Sequence, residues 1–348
     1  MNDQDASVRI DLASLTYNFN VARAAAPTSQ IMAVIKADAY GHGAEAVAKH
    51  LGSADAFAVA RISEAVVLRE SGINHPITVL SGLIDQHGLR LAERYGIDLV
   101  LHHPEQLGLF QSSGVNVWLK FDTGMHRLGL GLKDLEGCLK ALPEARVLGL
   151  VSHFSDADDP SNAKNNEQLE TFLAQIQRFG LPGSLSNSAA ILSGLGTDQA
   201  WVRPGIMLYG ANPFVSRSVD LRPVMELTAP VIAVKQLRRG DRVGYGSRWQ
   251  AQADCTVAVL AIGYADGYPR EIKLDTPVGL NGQRETVLGR ISMDMLTISV
   301  SGAPPSIGDR AELWGQHVAI EEVAAQAGTL SYVLMCGLAA RVPRIYQE

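Results

Sequence analysis

The chain has 348 residues, of which 47% are hydrophobic and 19% are charged, and its 30 basic and 36 acidic side chains give a formal net charge of −6. This composition excludes a disordered chain, and the length is sufficient for one large domain and a smaller one. The acidic balance argues against nucleic acid or an anionic membrane surface as the main partner.

The chain also lacks the usual signals for membrane insertion and export. No apolar run approaches the roughly 20 residues that a membrane-spanning helix needs. The first ten residues have neither the basic start nor the apolar core of a signal peptide. Cys138, Cys255 and Cys336 lie far apart and form no C-x-x-C motif. We therefore expect a cytoplasmic protein with reduced thiols and no membrane partner.

The first two thirds of the chain alternate short apolar runs with amphipathic segments. Eight runs bounded by Gly, Pro or polar residues predict buried parallel strands: Ile31–Ile35, Ala56–Ala60, Ile77–Leu80, Asp98–Leu101, Val115–Phe121, Val147–Val151, Ser184–Ser186 and Val202–Tyr209. Between them, segments such as Asn165–Phe179 have helical apolar spacing, and Ser63 is suited to cap another helix. This pattern predicts an α/β fold of the (β/α)8 barrel type. A doubly wound sheet is the alternative, but Gly41 and Gly43 match its glycine fingerprint only in part.

The pattern changes after about residue 222, where short strands and turns replace the alternation. Asn281-Gly282 is a two-residue hairpin signal, and Gly240-Asp241 and Gly308-Asp309 indicate further turns. The predicted strands are Val231–Val234, Thr256–Ile262, Pro277–Leu280 and Met295–Val300. The sequence thus predicts a barrel domain over residues 1–222 and a mostly β domain over residues 223–348.

In a barrel of this type the active site lies at the carboxyl ends of the strands. Those ends carry a polar set, namely Lys36, Tyr40, Lys120, Arg127, His153, Asn187, Ser188 and Arg203. Each member alone has a structural explanation, such as a solvated lysine, a helix-capping Asn187 or an ion-paired Arg203. Their convergence on one rim indicates a functional site.

The set favours one kind of chemistry. Lys36 follows the apolar pair Val34-Ile35, and a desolvated lysine amine has a lowered pKa and can form a Schiff base. Ser188 and the backbone N–H groups around Gly205-Ile206 follow the seventh and eighth strands, where such barrels usually bind phosphate. A lysine beside a phosphate site indicates pyridoxal phosphate. The usual metal-ligand spacings, the GxSxG elbow and the P-loop do not occur, so a metal site is not expected.

At these residues the sequence resembles the alanine racemases, over essentially the whole chain. The matching segments follow in order: Val34–Gly43, Lys120–Gly129, Ser152–Phe154, Val202–Ile206, Val243–Ser247, Gly263–Arg270 and Gly289–Asp294. The resemblance implies a fold-type III pyridoxal phosphate isomerase with an N-terminal barrel and a C-terminal β domain. It also implies a homodimer in which the β domain of each subunit completes the partner's site, and a role in supplying D-alanine for cell-wall peptidoglycan.

The resemblance also assigns roles, position by position. Lys36 would hold the cofactor and act as one catalytic base, and Tyr245 of the partner subunit would act as the opposing base. Arg203 would face the pyridine nitrogen, with His153 hydrogen-bonded behind it. The residues implied at the phosphate are Tyr40, Asn187, Ser188, Gly205 and Ile206.

Arg127 and the backbone N–H of Met293 would bind the substrate carboxylate. Lys120 matches a position that is carbamylated in some members, where it orients an arginine seven residues on, which here is Arg127. Some members have a phosphate-binding tyrosine where this chain has Ala340, so we expect Tyr346 to supply that hydroxyl. Ser292 replaces a cysteine of other members, which matters little for a contact made by backbone groups.

Two other functions compete with this interpretation. A racemase of broader range, for example one acting on serine, is the closer alternative, because one extra methylene changes binding by only about 1–3 kcal/mol. Tyr264 and Tyr346 would decide how tightly the pocket closes. A non-catalytic pyridoxal phosphate-binding protein is the other, but such proteins lack the β domain and its tyrosine.

Overall fold

The computed structural model describes residues 5–111, 113–214 and 217–348. These residues divide into two compact units. The barrel unit comprises Thr16–Leu208 and Asn212–Leu221, and the β unit comprises the segment ending at Leu15, Tyr209–Ala211 and Arg222–Glu348. Within the described residues, no helix is both long and apolar enough to cross a membrane.

The first strand, β1 (Ser7–Asp11), belongs to the β unit and precedes helix α1 (Leu12–Ala25). Val8 and Ile10 are fully buried while their neighbours are partly exposed, as in a strand with one face on a core. β1 therefore lies outside the barrel, although the sequence assigns residues 1–222 to it. A five-residue alternation next to a helix is too short for sequence patterns to detect. The boundary at residues 222 and 223 itself stays a prediction.

Eight parallel strands close into a barrel in the barrel unit, and the last pairs with the first to complete the ring. The strands are β2 (Gln30–Val34), β3 (Ala56–Val59), β4 (Ile77–Val79), β5 (Asp98–Leu101), β6 (Val117–Lys120), β7 (Val147–Val151), β8 (Gly183–Ser184) and β9 (Trp201–Val202). The helices are α2 (Lys36–Gly41), α3 (Ala44–His50), α4 (Ile62–Glu70), α5 (Gln86–Tyr95), α6 (Leu107–Phe110), α7 (Leu132–Ala141), α8 (Lys164–Phe179) and α9 (Ser188–Leu192). The prediction of a (β/α)8 barrel is confirmed.

Two predicted strands are shorter than the sequence indicates. The run Ser184–Ser186 contributes only Ser184, because β8 is Gly183–Ser184. The run Val202–Tyr209 contributes only Val202, since β9 ends there and a 3-10 turn covers Ile206–Tyr209. Pro204 explains the second difference, because it has no N–H to donate to a strand ladder. Its carbonyl instead accepts the Val34 N–H at 2.9 Å, which ties β9 to β2.

The β unit is built on one eight-stranded sheet in the order β13-β16-β15-β14-β17-β10-β1-β18, with a further β13–β10 pairing. Its elements are β10 (Met225–Leu237), β11 (Arg242–Val243), β12 (Trp249–Gln250), β13 (Cys255–Leu260), β14 (Pro277–Leu280), β15 (Gln283–Leu288), β16 (Leu296–Val300), β17 (Arg310–Trp314), α10 (Ile320–Gln326), α11 (Ser331–Cys336) and β18 (Arg344–Gln347). Asn281 and Gly282 form the predicted hairpin turn with φ of 49° and 75°. The sequence predictions did not include β15, β17 and β18.

Packing between β7 and β8 depends on Gly149, whose φ is 151°. A Cβ there would lie 2.3 Å from the Pro182 carbonyl oxygen and 2.8 Å from the Trp118 ring. We expect Gly149→Ala to lower the free energy of unfolding by about 1–3 kcal/mol or more, because the barrel wall must move apart. The midpoint of thermal unfolding measures this.

Gly137→Ala is the matched control, since Gly137 is exposed on α7 and a Cβ there meets nothing within 4 Å. That substitution should leave stability unchanged or raise it by up to about 1 kcal/mol, because alanine favours helix. Equal thermal midpoints for the two variants would contradict the importance of the β7–β8 contact.

Candidate active site

The barrel gathers the predicted site residues of its unit at one rim. Lys36 follows β2, Lys120 ends β6, and His153, Ser188 and Arg203 follow β7, β8 and β9. Because parallel strands present their carboxyl ends on the same face of a closed barrel, these side chains share a mouth. Electrostatic interactions among Lys36, Lys120, His153 and Arg203 agree with this proximity.

The segment α2 is not a regular right-handed helix, because the chain turns left-handed immediately after Lys36. Ala37, Asp38, Ala39 and Tyr40 have φ between 52° and 54°, a conformation that costs about 1–2 kcal/mol for each residue with a Cβ. Local hydrogen bonds offset part of this cost. Asp38 Oδ1 accepts the Ala44 N–H at 2.7 Å, and buried His42 donates from Nδ1 to the Ala39 and Tyr40 carbonyls. The turn places the Tyr40 ring 6.0 Å from Lys36 Nζ.

Glu64 holds the start of this turn, and sequence analysis did not identify it. Its Oε1 accepts the Ala37 N–H at 2.6 Å, and its Oε2 accepts the Ala60 and Arg61 N–H groups at 2.8 Å each. Glu64 is the third residue of α4, which begins at Ile62 after Arg61. Ser63, expected to cap this helix, therefore lies inside it, and the acidic side chain in the first turn was the better signal.

Arg203 is buried and held by neutral oxygen atoms. It donates to Ser184 Oγ at 2.6 Å and to the Ser152 carbonyl at 2.5 Å, and a guanidinium nitrogen lies 3.5 Å from His153 Nδ1. Within the part of the chain that the structure describes, no carboxylate forms an ion pair with it. Burial lowers the pKa of Arg203 to about 10, so it stays protonated at neutral pH.

The charges at the rim repel one another. Burial, and then the positive charges of Arg203 and Arg127, lower the pKa of Lys120 to about 7. Burial and the same cations, with Lys120 and Lys36, hold the pKa of His153 well below its usual range. Asp122 is the carboxylate that acts in the opposite direction on Lys120. A cluster this rich in positive charge favours an anionic ligand.

Asp122 also shapes the loop that carries Arg127. Its Oδ1 accepts the Gly124 and His126 N–H groups at 2.9 and 3.1 Å, and its Oδ2 lies 3.0 Å from His126 Nδ1. The Leu130 N–H closes the loop by donating to the Lys120 carbonyl at 2.7 Å. Arg127 is exposed on this loop.

A second polar group lies after β8 and β9. Ser188 Oγ accepts the Gly205 and Met207 N–H groups at 2.8 and 3.3 Å. A Cβ at Gly205 would lie 2.7 Å from the Tyr40 hydroxyl, so only glycine lets these groups meet. The structure therefore brings Tyr40, Ser188 and Gly205 together, with Ile206 beginning the next turn. The hydroxyls of Tyr40 and Ser188 are both hydrogen-bond donors of the kind that a phosphate accepts.

Asn187 has a structural partner in this region. Its Oδ1 accepts the Ala190 N–H at 3.1 Å and caps α9. The cap fixes the direction of α9 and so positions Ser188, its first residue.

Gln168 is a further residue that the sequence analysis missed. It is fully buried and donates to Thr123 Oγ1 and to the His153 carbonyl, both at 3.1 Å, while its Oε1 accepts the Ser155 N–H at 2.9 Å. It thereby connects the loops after β6 and β7. The signal was present, because Gln168 lies four residues before Phe172 on the apolar stripe of α8.

Tyr245, Met293 and Tyr346 belong to the β unit and are exposed there, with Tyr245 at 69% and Met293 at 53%. Gly244 and Gly246, with φ of 71° and 72°, flank Tyr245. A tight turn therefore presents the phenol to solvent. Across the described residues, no group of three His, Cys, Asp or Glu side chains is placed to hold a metal ion.

Comparison with known proteins gives one consistent result. Residues 10–213 match the family model for the alanine racemase N-terminal domain, and residues 224–346 match that for the C-terminal domain. The chain is 47% identical to an alanine racemase of Thioalkalivibrio sulfidiphilus, over 97% of each chain. It is 42% identical to one of Vibrio cholerae, over 98% of each chain.

Solved structures agree with the sequence comparisons. The crystal structure of the biosynthetic alanine racemase of Pseudomonas aeruginosa has a TM-score of 0.94 at 39% identity, covering 99% of this chain and 100% of the other. That of Bartonella henselae alanine racemase, with covalently bound pyridoxal phosphate, has a TM-score of 0.90 at 30% identity, covering 99% of each chain.

The electrostatics of the rim lead to a titration experiment. We expect His153 to stay neutral at pH values where an ordinary imidazole, with a pKa of about 6.5, is already protonated, because burial and positive neighbours lower its pKa. His317 should instead become protonated at a higher pH than an ordinary histidine, since its hydrogen bond to Glu312 at 2.7 Å raises its pKa. Imidazole NMR signals followed against pH measure both.

Replacing one positive neighbour provides the control. In Lys120→Met the pKa of His153 should rise, while that of His317 should not change. A His153 signal that titrates near about pH 6.5 in the unchanged protein would contradict the assigned cause.

Proposed function

Because the chain belongs to the alanine racemase family, it interconverts L-alanine and D-alanine, and we propose that it does so with pyridoxal phosphate bound at the barrel rim. The observation that carries the proposal is the group of positive charges on Lys36, Lys120, Arg127 and Arg203, which act on the same buried neighbours. When bound, the cofactor supplies an electron-accepting ring that stabilises the charge left on the α-carbon. Pyridoxal phosphate and alanine both bring anionic groups that this cluster favours.

The barrel domain would hold the cofactor. We propose that this domain covers residues 1–222, from which β1 is excepted because it belongs to the β unit. Lys36 would attach the cofactor through its side-chain amine. This lysine is half-buried and lies just after β2. The phosphate of the cofactor would be bound by donors on the turns after β2, β8 and β9, namely Tyr40, Ser188, Gly205 and Ile206, with Asn187 positioning Ser188. Tyr346 is proposed as an additional hydroxyl.

Arg203 would bind at the ring nitrogen of the cofactor. Since its pKa stays at about 10, it retains its proton at neutral pH and leaves the ring nitrogen unprotonated. Neutral His153 lies beside it and accepts rather than donates at Nδ1. This arrangement moderates the electron-accepting power of the ring and so limits side reactions.

Two bases on opposite faces of the substrate would exchange the α-proton without moving the substrate. By the family pattern, Lys36 would take the α-proton of D-alanine on one face, and Tyr245 of the partner subunit would take that of L-alanine on the other. A tyrosine is a poor base unless positive charge stabilises its phenolate, and the cationic rim provides such charge. Arg127 and the backbone N–H of the partner's Met293 would bind the substrate carboxylate.

A homodimer with shared sites accounts for the β domain, assigned to residues 223–348. Tyr245 and Met293 are exposed on turns of the β unit, as residues that complete another subunit's site must be. The Pseudomonas aeruginosa relative is a biosynthetic enzyme. By analogy we propose that this protein supplies D-alanine for cell-wall peptidoglycan and acts in the cytoplasm.

We further propose that Lys120 is carbamylated. Its pKa of about 7 leaves a neutral amine above that pH, and neutral amines attack carbon dioxide. The amine nitrogen bonds to the carbon, one C–O π bond becomes an oxyanion, and the amine proton goes to solvent. The resulting negative charge would relieve the repulsion with Arg127 and Arg203.

The carbamate leads to a pH-dependent prediction. With 13C-labelled bicarbonate, a carbamate carbon signal should grow as the pH rises through about 7, because protonated Lys120 cannot react. It should be absent in Lys120→Gln and retained in Lys133→Gln, which removes an exposed lysine of α7. A signal of equal size in the first variant would place the carbamate elsewhere.

The shared site is tested by subunit mixing. Lys36→Ala and Tyr245→Phe should each lower D-alanine formation from L-alanine by about 10²–10⁴-fold, since each lacks one base. Mixed dimers should recover about a quarter of the wild-type rate, because half the dimers are hybrids with one complete site of two. Hybrids verified by mass that recover no activity would contradict a site built from two subunits.

A further inference from the structure

The carboxylate of Glu64 connects the peptide that follows Lys36 to the end of the neighbouring barrel strand. One oxygen accepts the Ala37 N–H at 2.6 Å, and the other accepts both N–H groups directly after β3 at 2.8 Å. Glu64 is half-buried on α4. Its contacts are with backbone, so it acts on the site only through the position of the chain.

The geometry at Ala37 makes this contact important for Lys36. The peptide N–H of Ala37 belongs to the same peptide plane as the Lys36 carbonyl carbon. β2 ends at Val34, Ile35 already has a non-extended ψ of 24°, and the left-handed turn begins at Ala37 with φ of 53°. Four consecutive left-handed residues with side chains do not hold this shape by their own preference. An acceptor at the first peptide of the turn therefore helps to fix where the turn starts and how the Lys36 side chain is directed.

We propose that Glu64 is a positioning residue for Lys36, holding the lysine amine at the face of the substrate that it serves. The proposal rests on the proposed function, in which Lys36 carries the cofactor and is one of two bases. Since Tyr245 is held by a separate turn of the β unit, Glu64 should affect the lysine side of the reaction and not the tyrosine side.

A merely structural role for Glu64 predicts a different outcome. As the acid in the first turn of α4, it also satisfies the N–H of Arg61, the N-cap residue, and the N–H of Ala60 just before it. Its loss would then lower stability and slow both halves of the reaction alike. The two roles are separated by asking whether the two enantiomers of alanine are affected equally.

Asp55 offers a matched control on the same pair of strands. It directly precedes β3, is half-buried, and its Oδ2 accepts the Ile31 N–H of β2 at 2.8 Å. It thus makes the same kind of link between β2 and β3 as Glu64, but at the opposite end of the barrel. Asp55→Asn also weakens the ion pair with Arg23 at 2.9 Å, so we expect it to lower stability at least as much as Glu64→Gln does.

The test compares Glu64→Gln and Asp55→Asn with the wild type as purified holoenzymes. In Glu64→Gln the side-chain amide has one oxygen that can accept and one NH₂ group that can only donate. The NH₂ group therefore faces either the Ala37 N–H or the two N–H groups after β3, and that hydrogen bond is lost. Exchange of the α-proton of D-alanine with deuterated solvent should slow by about 10- to 100-fold, because it needs Lys36 in place. The same exchange measured with L-alanine as the substrate, which needs Tyr245, should change in rate by less than about twofold.

A second readout does not depend on turnover. Hydroxylamine releases a cofactor that is bound through a lysine imine, at a rate that reflects how well the lysine is held. Glu64→Gln should lose its cofactor about tenfold faster than the wild type, while Asp55→Asn should match the wild type in both readouts. If Glu64→Gln does not fold, Glu64→Asp takes its place, because its shorter carboxylate keeps the charge in α4 but withdraws from Ala37.

Two results would overturn the proposal, and they differ from failure of the proposed function. Equal slowing of both enantiomers in Glu64→Gln, or the same pattern in Asp55→Asn, would show that Glu64 is only structural. The proposed function fails instead if borohydride fixes the cofactor of the wild type to a lysine other than Lys36.

Discussion

Mutual repulsion of positive charge at one rim of the barrel is the constraint on which the rest of the site depends. Lys36, Lys120, Arg127 and Arg203 act on the same partly buried space, where water screens charge poorly. Burial, and then this repulsion, lower the pKa of Lys120 to about 7 and hold the pKa of His153 well below its usual range. Each anionic group in the proposed reaction, whether phosphate, carboxylate or carbamate, would relieve this repulsion. Binding of an anion at the rim would therefore be favoured by the removal of this repulsion.

The side chains that hold this cluster are mainly neutral. Arg203 is bound by a hydroxyl and by backbone carbonyls, and Gln168 connects the loops after β6 and β7 through amide hydrogen bonds. A buried carboxylate beside Arg203 would have cancelled the charge that the site uses. Neutral acceptors fix the geometry of the guanidinium and leave its charge available to a ligand.

The site also contains strained backbone, in the left-handed turn that follows Lys36. The four left-handed residues after Lys36 are maintained by contacts from outside the turn, including Glu64 at one end and Ala44 at the other. Strained backbone of this kind persists where surrounding structure over-determines it, and it is concentrated at functional sites. Here the strain directs the lysine and the Tyr40 ring from the same short segment. Accurate placement of both groups therefore depends on restraints that belong to the neighbouring strand and helix.

Sequence alone was sufficient for the barrel, because its strands are buried on both faces and appear as apolar runs between polar segments. It was also sufficient for the Asn281-Gly282 turn and for locating Lys36, Ser188 and Arg203 at strand ends, since these depend on local patterns. Other features were decided by the tertiary structure. β1 joins the β unit through pairing with strands more than two hundred residues away, and no local pattern records such a partner. The roles of Glu64 and Gln168, and the lowered pKa values of Lys120 and His153, arise from groups that come close only when the barrel closes, because hydrogen bonds and charge interactions depend on distance in space rather than along the chain.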